Sequence, residues 1–312
     1  MRRLLLFSCA CVAVLSVSAQ TNIKSKSHEA SAWSKGGMIS IMGGQSGTRN
    51  WAPGGEKFAV TGAASLSLWA NKTWGKNLWE NNLDISYALV NTQTLGVRKL
   101  DDKLDFYSRY SYKLGAGKWS LGTVTALRTQ ITNGYNYSET PVKRISGFFA
   151  PAYLTFSGGV QFRPTNNLSF HFGPDVRWVF VTNSPYSLNY QGGVKPDGSQ
   201  ERTLADMYGV DPARKLRLEY GAYFSGLYHK EVFKNVDWKT RLDLTSDFSR
   251  SVPSNIDVYW TNTVYMSVNT WLKVAYNFDL VYDDKVRMFG EDKMSRAAQM
   301  KSMLGLGLAV KF

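Results

Sequence analysis

Residues 236–249, VDWKTRLDLTSDFS, alternate between two kinds of side chain with a period of two. One face carries mainly apolar side chains: Val236, Trp238, Thr240, Leu242, Leu244 and Phe248. The other face carries charges: Asp237, Lys239, Arg241, Asp243 and Asp247. Successive side chains of a β-strand point to opposite faces, so this period indicates a strand. The stretch therefore predicts a strand with one apolar and one charged face.

The same alternation recurs along the chain, for example over 83–89, 168–180, 256–268 and 272–282. About 12 such segments can be recognised, most of ~10 to 15 residues, which is long enough for a tilted strand to cross a bilayer. Ordinary globular strands average only about five or six residues. The sequence predicts an all-β protein in which residues 37–312 form one up-and-down antiparallel transmembrane β-barrel, with about 12 strands and a range of 10 to 14.

The first 19 residues have the composition of a secretory signal peptide. Two arginines precede an apolar run, and Val17, Ser18 and Ala19 form a small-residue cleavage site. We expect cleavage after Ala19, a flexible segment over 20–36, and a location in the outer membrane of a Gram-negative bacterium. The mean hydropathy is −0.27, and no later segment approaches the ~18 consecutive apolar residues of a spanning helix.

Both cysteines, Cys9 and Cys11, fall within the predicted signal peptide. The mature chain would then lack disulfides and thiolate metal sites, and we expect no cofactor and no bound metal. The net charge of +13 is spread over the alternating segments without a polybasic run. Such scattered charge favours solvated faces and lipid head-group contacts, so no nucleic-acid partner is predicted.

Connection lengths are predicted to alternate between short and long, as in outer-membrane barrels. The short connections lie around 114–118, 163–167 and 268–270. The long ones lie around 43–57, 91–102, 132–150, 181–213 and 283–298. Aromatic residues near strand ends are expected to form two interfacial girdles: Trp69, Trp74, Trp79, Trp119, Tyr220, Tyr228, Trp260, Trp271 and Tyr282.

Parity places charges of both signs inside the barrel. The candidate lumen charges are Arg109, Arg128, Arg163, Asp175, Arg177, Arg217, Arg241 and Asp243. They could brace the lumen through ion pairs or form an electrostatic constriction for solutes. Because an isolated buried charge is costly, pairing is the expected arrangement.

An enzyme is not predicted. The three histidines are His28, His171 and His229, and none precedes a serine by two residues, as the catalytic histidine of outer-membrane lipases does. His171 is expected to make a lumen hydrogen bond near Asp175, because no nucleophile lies within reach. A lipid-modifying enzyme is therefore the least favoured alternative.

The last strand places apolar residues at alternate positions before a terminal aromatic: Leu304, Leu306, Leu308, Val310 and Phe312. This pattern resembles the C-terminal signal by which the barrel-assembly machinery recognises its clients. The resemblance implies that this machinery is a partner during biogenesis.

Residues 36–70, GGMISIMGGQSGTRNWAPGGEKFAVTGAASLSLWA, carry a second resemblance. A short strand ending near Gln45 is followed by Asn50, Trp51, Ala52, Pro53, Gly54 and Gly55, and then by another strand. This pattern resembles the start of the Bacteroidota outer-membrane family known as domain of unknown function 3078. Residues 236–249, 255–284 and the closing strand resemble the C-terminal hairpins of the same family, so the resemblance spans nearly all of the predicted mature chain. The resemblance implies a barrel without an established activity. The loop itself could dock a partner, or it could pack for stability.

The sequence thus favours a non-enzymatic structural or accessory barrel, in contact with outer-membrane lipid and with subunits of an envelope assembly or secretion complex. The alternative is a narrow channel for small polar solutes.

Overall fold

The computed structural model describes residues 33–47, 58–137, 142–182, 194, 197–199, 201–249, 255–291 and 294–312. The predicted signal peptide, most of the predicted N-terminal segment, and Asn50, Trp51, Pro53, Gly54 and Gly55 of the loop motif lie outside these residues.

Twelve long strands form the main sheet. In the first half of the chain they are β1 (Ser34–Gly47), β2 (Phe58–Trp74), β3 (Asn77–Thr92), β4 (Gly96–Lys113) and β5 (Trp119–Thr129). After a short hairpin of β6 (Gly134–Asn136) and β7 (Lys143–Ser146) come β8 (Ala152–Thr165) and β9 (Leu168–Phe180). Helix α1 (Leu204–Met207) precedes β10 (Leu216–Phe233), β11 (Val236–Asp247), β12 (Ile256–Ser267), β13 (Leu272–Tyr282) and β14 (Gln299–Lys311).

Each long strand pairs antiparallel with the long strands before and after it, and β1 pairs with β14 to close the ring. Strand β5 pairs directly with β8, so the β6–β7 hairpin is an insertion between them that forms no part of the barrel wall. The prediction of an up-and-down barrel with about 12 strands is confirmed.

The two faces of each strand differ as the alternation requires. In β11, Arg241, Asp243 and Asp247 are buried inside the barrel. Apolar side chains such as Phe172 and Leu218 are exposed on the outer surface. An apolar outer surface around a polar interior is the arrangement found in transmembrane barrels.

Tight turns join strands at one end of the barrel, here called the tight-turn end. They include the turns at Gly75, Gly115 and Asn235, each of which has a positive φ angle. The strand ends at the opposite end of the barrel, here called the long-connection end, are joined mostly by longer stretches of sequence, with the residue numbers 48–57, 130–151, 181–215, 248–255 and 283–298.

Two sequence predictions about these ends are wrong. The connection predicted over 91–102 is a tight turn, because β4 already begins at Gly96, whose φ angle of +65° suits glycine. Trp69 does not belong to a girdle, because it points inward and lines a lumen cavity.

A small apolar cluster covers part of the long-connection end. Helix α1 contributes Leu204 and Ala205, which pack with Val179, Val181 and Val286. The Tyr208 hydroxyl donates to the Ile145 carbonyl oxygen at 3.0 Å. These contacts join three connections into one cap, defined here as α1 and the segments that pack around it. Within the described residues, no helix is long and apolar enough to cross a membrane.

Candidate functional site

The lumen of the barrel is the candidate functional site. All eight predicted lumen charges point into it, and seven of them form ion pairs. The eighth, Asp175, forms no ion pair with any described residue. It is buried, and its Oδ1 atom has no hydrogen-bond partner within the part of the chain that the structure describes.

The first group of charges crosses the middle of the lumen and is called the central brace. It consists of Asp105 on β4, Arg128 on β5, and Arg241 and Asp243 on β11. Arg241 pairs with Asp105 and also lies 3.1 Å, Nε to Oδ2, from Asp243. Arg128 pairs with Asp243. Because β4 and β11 lie five strands apart around a ring of twelve, the brace ties nearly opposite walls together.

Aromatic and hydroxyl groups complete the central brace. The guanidinium of Arg128 lies 3.5 Å from the ring centroid of Tyr259, a cation–π contact. Tyr223 donates to Asp243 Oδ1 at 2.9 Å, and Ser225 donates to the same oxygen at 2.7 Å. Asp243 therefore has hydroxyl donors as well as ion-pair partners in place of water, which lowers the cost of its burial. Asp105 Oδ1, Arg128 Nε and Arg241 Nε are buried without a hydrogen-bond partner among the described residues.

A second group of charges lies near the cap. Arg177 bridges Glu219 and Asp257, and Arg217 Nε lies 2.7 Å from Glu219 Oε1. Lys285, from the connection after β13, lies 2.9 Å from the same Glu219 oxygen. This lysine anchors the connection to the barrel wall.

Asp283 belongs to the same region and lies just beyond the end of β13. Burial raises the pKa of its carboxyl group, and the nearby charge of Asp257 raises it further. Its Oδ2 atom lies 3.8 Å from Arg217 Nη2.

A third group lies toward the tight-turn end. Glu80 accepts hydrogen bonds from Arg109 Nε at 2.9 Å and from Arg163 Nη2 at 2.5 Å. Arg109 also donates to Ser169 at 2.7 Å. Two arginines thus share one carboxylate.

Two cavities in the lumen are lined by described residues. The tight-turn chamber has a volume of about 550 Å³ and is lined by Glu80, Asp84, Arg163 and Lys239, among others. The long-connection chamber has a volume of about 520 Å³, and its lining includes Asp257 and Asp283. Arg241 and Asp105 of the central brace line the first, whereas Arg128 and Asp243 line the second.

Four charged residues line both chambers: Asp101, Lys103, Asp279 and Lys301. Lys301 lies 2.6 Å from both Asp101 and Asp279, and Lys103 lies 3.7 Å from Asp279. The two lysine side chains retain 25% and 28% of their exposure. The chambers therefore meet beside the brace, at a polar strip made of these four residues.

The sequence did not predict this strip. Asp101 fell within the connection predicted over 91–102 and Lys103 just outside it, whereas both lie on β4. Tyr223 and Tyr259 were also not predicted, although their inward parity was a usable signal.

His171 is fully buried and makes a hydrogen bond with Ser157, Nε2 to Oγ, at 2.8 Å. Its Nδ1 atom has no partner in the described part of the chain. A hydrogen bond of His171 inside the barrel is thus present, but its partner is Ser157 on the neighbouring strand and not Asp175. Neither His171 nor Ser157 lines either chamber.

The remaining predicted residues lie on β1 and β14. Gln45 is exposed and pairs with Val60 of β2. Leu304, Leu306, Leu308, Val310 and Phe312 are all exposed on the outer surface. The outward alternation of the last strand is therefore confirmed, while its role as an assembly signal stays a prediction.

Several solved barrels resemble this chain weakly. An outer-membrane channel from Pseudomonas putida F1 is 13% identical, with 89% of this chain and 96% of that chain covered and a TM-score of 0.38. The translocator domain of autotransporter NalP from Neisseria meningitidis is 8% identical, with 89% and 88% covered and a TM-score of 0.33. The outer-membrane channel DcaP of Acinetobacter baumannii is 9% identical, with 90% and 97% covered and a TM-score of 0.32.

No curated protein matches the chain. Residues 43–135 match the family described as "Protein of unknown function (DUF3078)". This segment contains the Gln45 and Asn50–Gly55 positions on which the sequence resemblance rests, and the match confirms the resemblance there.

Proposed function

We propose that the protein is an integral outer-membrane β-barrel of a Gram-negative bacterium, with a non-enzymatic structural or accessory role in an envelope assembly or secretion complex. The closed ring supports the membrane location, because only helices and closed barrels can satisfy their backbone groups in lipid. The apolar outer surface supports it further, as do exposed aromatic residues at the tight-turn end such as Trp79, Trp119 and Trp271. By analogy with other outer-membrane barrels, the long-connection end faces outward.

The observation that carries the structural role is the central brace. Arg241 and Asp105 close the middle of the lumen between nearly opposite walls, and both side chains are at most 8% exposed. A lumen held in this way resists deformation. The barrel can then present its outer surface and loops to other envelope subunits as a rigid body.

The second candidate function is a narrow channel for small polar solutes. The four-residue strip favours it, because Asp101, Lys103, Asp279 and Lys301 line both chambers and their lysines remain partly exposed. Charged side chains at a constriction are a common means of ion selection.

Single-channel conductance of the purified protein in a planar bilayer separates the two functions. For a structural barrel we expect folded, heat-modifiable protein to be silent, and the double variant Asp105→Asn/Arg241→Gln to conduct once the brace is weakened. For a channel we expect discrete conductance steps from the unmodified protein. In Lys103→Gln/Lys301→Gln we expect the ratio of anion to cation permeability to fall. Arg214→Gln is the control, because Arg214 lies outside the lumen and its side chain is 80% exposed.

A partner in an envelope complex is tested separately, by cross-linking in intact cells followed by purification of the barrel. Recovery of the barrel alone, at every cross-linker concentration, would count against an accessory role.

A further inference from the structure

The seam between β1 and β14 is paired over only part of its length. Six residue pairs join the two strands, from Met38 with Lys311 to Gly43 with Leu306. By contrast, β1 pairs with β2 from Ser34 to Gly47, and β14 pairs with β13 from Gln299 to Leu308. The seam is therefore closed toward the tight-turn end and parted toward the long-connection end.

The glycines at the seam differ in the space around them, but the difference does not follow the pairing. An added Cβ atom would meet one atom within 4 Å, at 3.7 Å, at the paired Gly43, and would lie 2.9 Å from Met42 Cβ at the unpaired Gly305. A Cβ atom added to Gly307, in the paired part, would lie 2.0 Å from the Ile41 carbonyl oxygen. A Cβ atom added to Gly44, one residue beyond the last pair, would meet no atom within 4 Å. Gly44 and Ser46 are both exposed, although their parity directs them toward the lumen. Among the described residues, nothing fills the space next to Gly44.

A parted seam is unusual within a membrane barrel. Unpaired N–H and C=O groups facing hydrocarbon cost several kcal/mol each, on the order of the cost of burying any unsatisfied polar group. The pairs β2–β3, β11–β12 and β12–β13 run close to the ends of their strands. Gly96–Lys103 of β4 have no partner on β5, because β5 ends at Thr129. At the β1–β14 seam, both strands continue side by side over Gly44–Gly47 of β1 without pairing to each other.

The tight-turn chamber lies directly behind this part of the seam. Its lining includes Met42 of β1, and Met303 and Lys301 of β14. Met303 would face Ser46 in continued register, and the two residues are not paired. The chamber thus reaches the gap from inside.

The chamber wall nearest the seam is apolar. Met38 and Met42 pack there with Ala275 and Ala309, and Tyr265 packs against them. Methionine side chains are flexible and adapt to alkyl chains of different shape. A cavity of about 550 Å³ falls in the range that holds small ligands, roughly 300 to 1,000 Å³.

Other parts of the chamber wall are charged, and there the cations are more accessible than their partner anions. Arg163 is 31% exposed against 18% for its partner Glu80. Lys239 is 39% exposed against 28% for its partner Asp84. Exposed cationic donors favour a phosphate or carboxylate group.

We propose that the parted half of the β1–β14 seam is a lateral entry through which a single-chain amphiphile with an anionic head group, a phosphate or a carboxylate, passes between the outer leaflet and the tight-turn chamber. Its alkyl chain would lie along Met38, Met42 and Met303, and its head group would contact Arg163 and Lys239. The proposal rests on the membrane location, but not on whether the lumen conducts ions.

The test compares two cross-linked forms of the full chain, in a Cys9→Ser/Cys11→Ser background reconstituted in lipid nanodiscs. Gln45→Cys/Leu304→Cys places thiols where continued register would bring β1 and β14 together, and a short bismaleimide joins them. Ile39→Cys/Val310→Cys is the matched control: these residues are also exposed and already face each other in the paired half. Mass spectrometry verifies each cross-link, and heat-modifiability verifies folding.

The probe is dansyl-undecanoic acid, whose fluorescence rises on saturable binding. We expect the Gln45→Cys/Leu304→Cys cross-link to slow probe binding roughly tenfold or more, because the strands could no longer move apart. The Ile39→Cys/Val310→Cys cross-link should leave the binding rate unchanged. Equal rates in the two forms would overturn the lateral entry. Absence of saturable binding to unmodified folded protein would overturn the site as well.

Two further arms identify the ligand chemistry and the chamber. Lauric acid and lauroyl lysophosphatidic acid should displace the probe, and their relative strength distinguishes carboxylate from phosphate heads; lauroyl lysophosphatidylcholine should not compete. Met303→Glu should abolish saturable binding because it places a charge on the apolar wall. Retained binding in this variant, or equal competition by the zwitterionic lipid, would contradict the proposal.

Discussion

Lys239 on β11 and Asp84 on β3 lie 3.1 Å apart, Nζ to Oδ2, although their strands are six positions apart around the ring of twelve. They stand on opposite walls, so this barrel is narrow enough for two side chains to span it. The exposure of such pairs decides how much each one stabilises the barrel.

Breaking the Lys239–Asp84 pair should change stability little. Both side chains are partly exposed, so solvent screens their interaction, and we expect Lys239→Gln to lower the free energy of unfolding by no more than about 1 kcal/mol. Urea titration of the reconstituted barrel measures this change. A loss several times larger would show that the lumen excludes water at this height.

Breaking the central brace should have a much larger effect. Arg241→Gln leaves Asp105 buried with Arg128 at 3.8 Å and the Tyr259 hydroxyl at 3.4 Å as its remaining partners. Removal of one partner of a buried pair costs about 3 to 5 kcal/mol. Adding Asp105→Asn removes the uncompensated charge, so the double variant should be more stable than the single one. The same titration checks the order, and a double variant less stable than Arg241→Gln would contradict it.

Gly307 and Gly44, which lie on either side of the last residue pair of the β1–β14 seam, should differ in their tolerance of a methyl group. Gly307→Ala should destabilise the barrel by about 1 to 3 kcal/mol because the strands must shift to admit the added atom. Gly44→Ala should have an effect within about 0.5 kcal/mol because the space is open. Heat-modifiability on gels ranks the two variants, and equal effects would mean that the seam is uniform.

Phe312 should matter for the amount of barrel in the membrane. Its backbone exchanges two hydrogen bonds with Gly37, both at 2.9 Å, and an added Cβ atom on Gly37 would lie 2.4 Å from the Phe312 ring. Phe312→Lys places a charge on this contact and removes the aromatic of the resembled assembly signal, so we expect lower levels of membrane-inserted protein.

The control for Phe312→Lys is Phe233→Lys, at the end of β10, because Phe233 is also highly exposed at the tight-turn end. Quantitative immunoblotting of membrane fractions compares the variants. If both variants reduce the level equally, Phe312 has no special role in assembly.

Docking of the cap should weaken as the pH rises. The raised pKa of Asp283 means that its protonated form is favoured in the folded state, so its contribution is fully present below the unfolded pKa of about 3.9 and is lost as the pH rises through the folded value. Trypsin cleavage at the exposed Arg214 should therefore be faster at neutral than at mildly acidic pH, after correction for the pH dependence of trypsin.

Asp283→Asn keeps the size of the side chain and removes its ionisation. This variant should lose the pH dependence of cap cleavage. A pH dependence unchanged by the substitution would assign the effect to other groups.

The alternation of residues 236–249 was sufficient to predict a strand, its two faces and the inward direction of Arg241 and Asp243. It could not identify their partners. Asp105 lies far away in the chain, and its contact with Arg241 depends on how the ring of strands closes. Register across a lumen is not encoded in the period of any single strand.

The errors at 91–102 and Trp69 have related causes. Charged residues in the first part of β4 suggested a loop, but these charges face a polar lumen and are compatible with a strand. Trp69 lies near a strand end, as girdle residues do, but its parity places it inside. Parity was therefore a better guide than composition at both positions.

The cap also bears on the order in which this protein forms. Its apolar cluster joins residues as distant in the chain as Ala150 and Val286, and contacts of such high sequence separation are slow to form. Ala150, Val181 and Val286 come together only after the strands between them have paired. Protease resistance of the cap is therefore a marker that strands β8 to β13 have paired, and it would distinguish such a chain from one in which these strands are still separate.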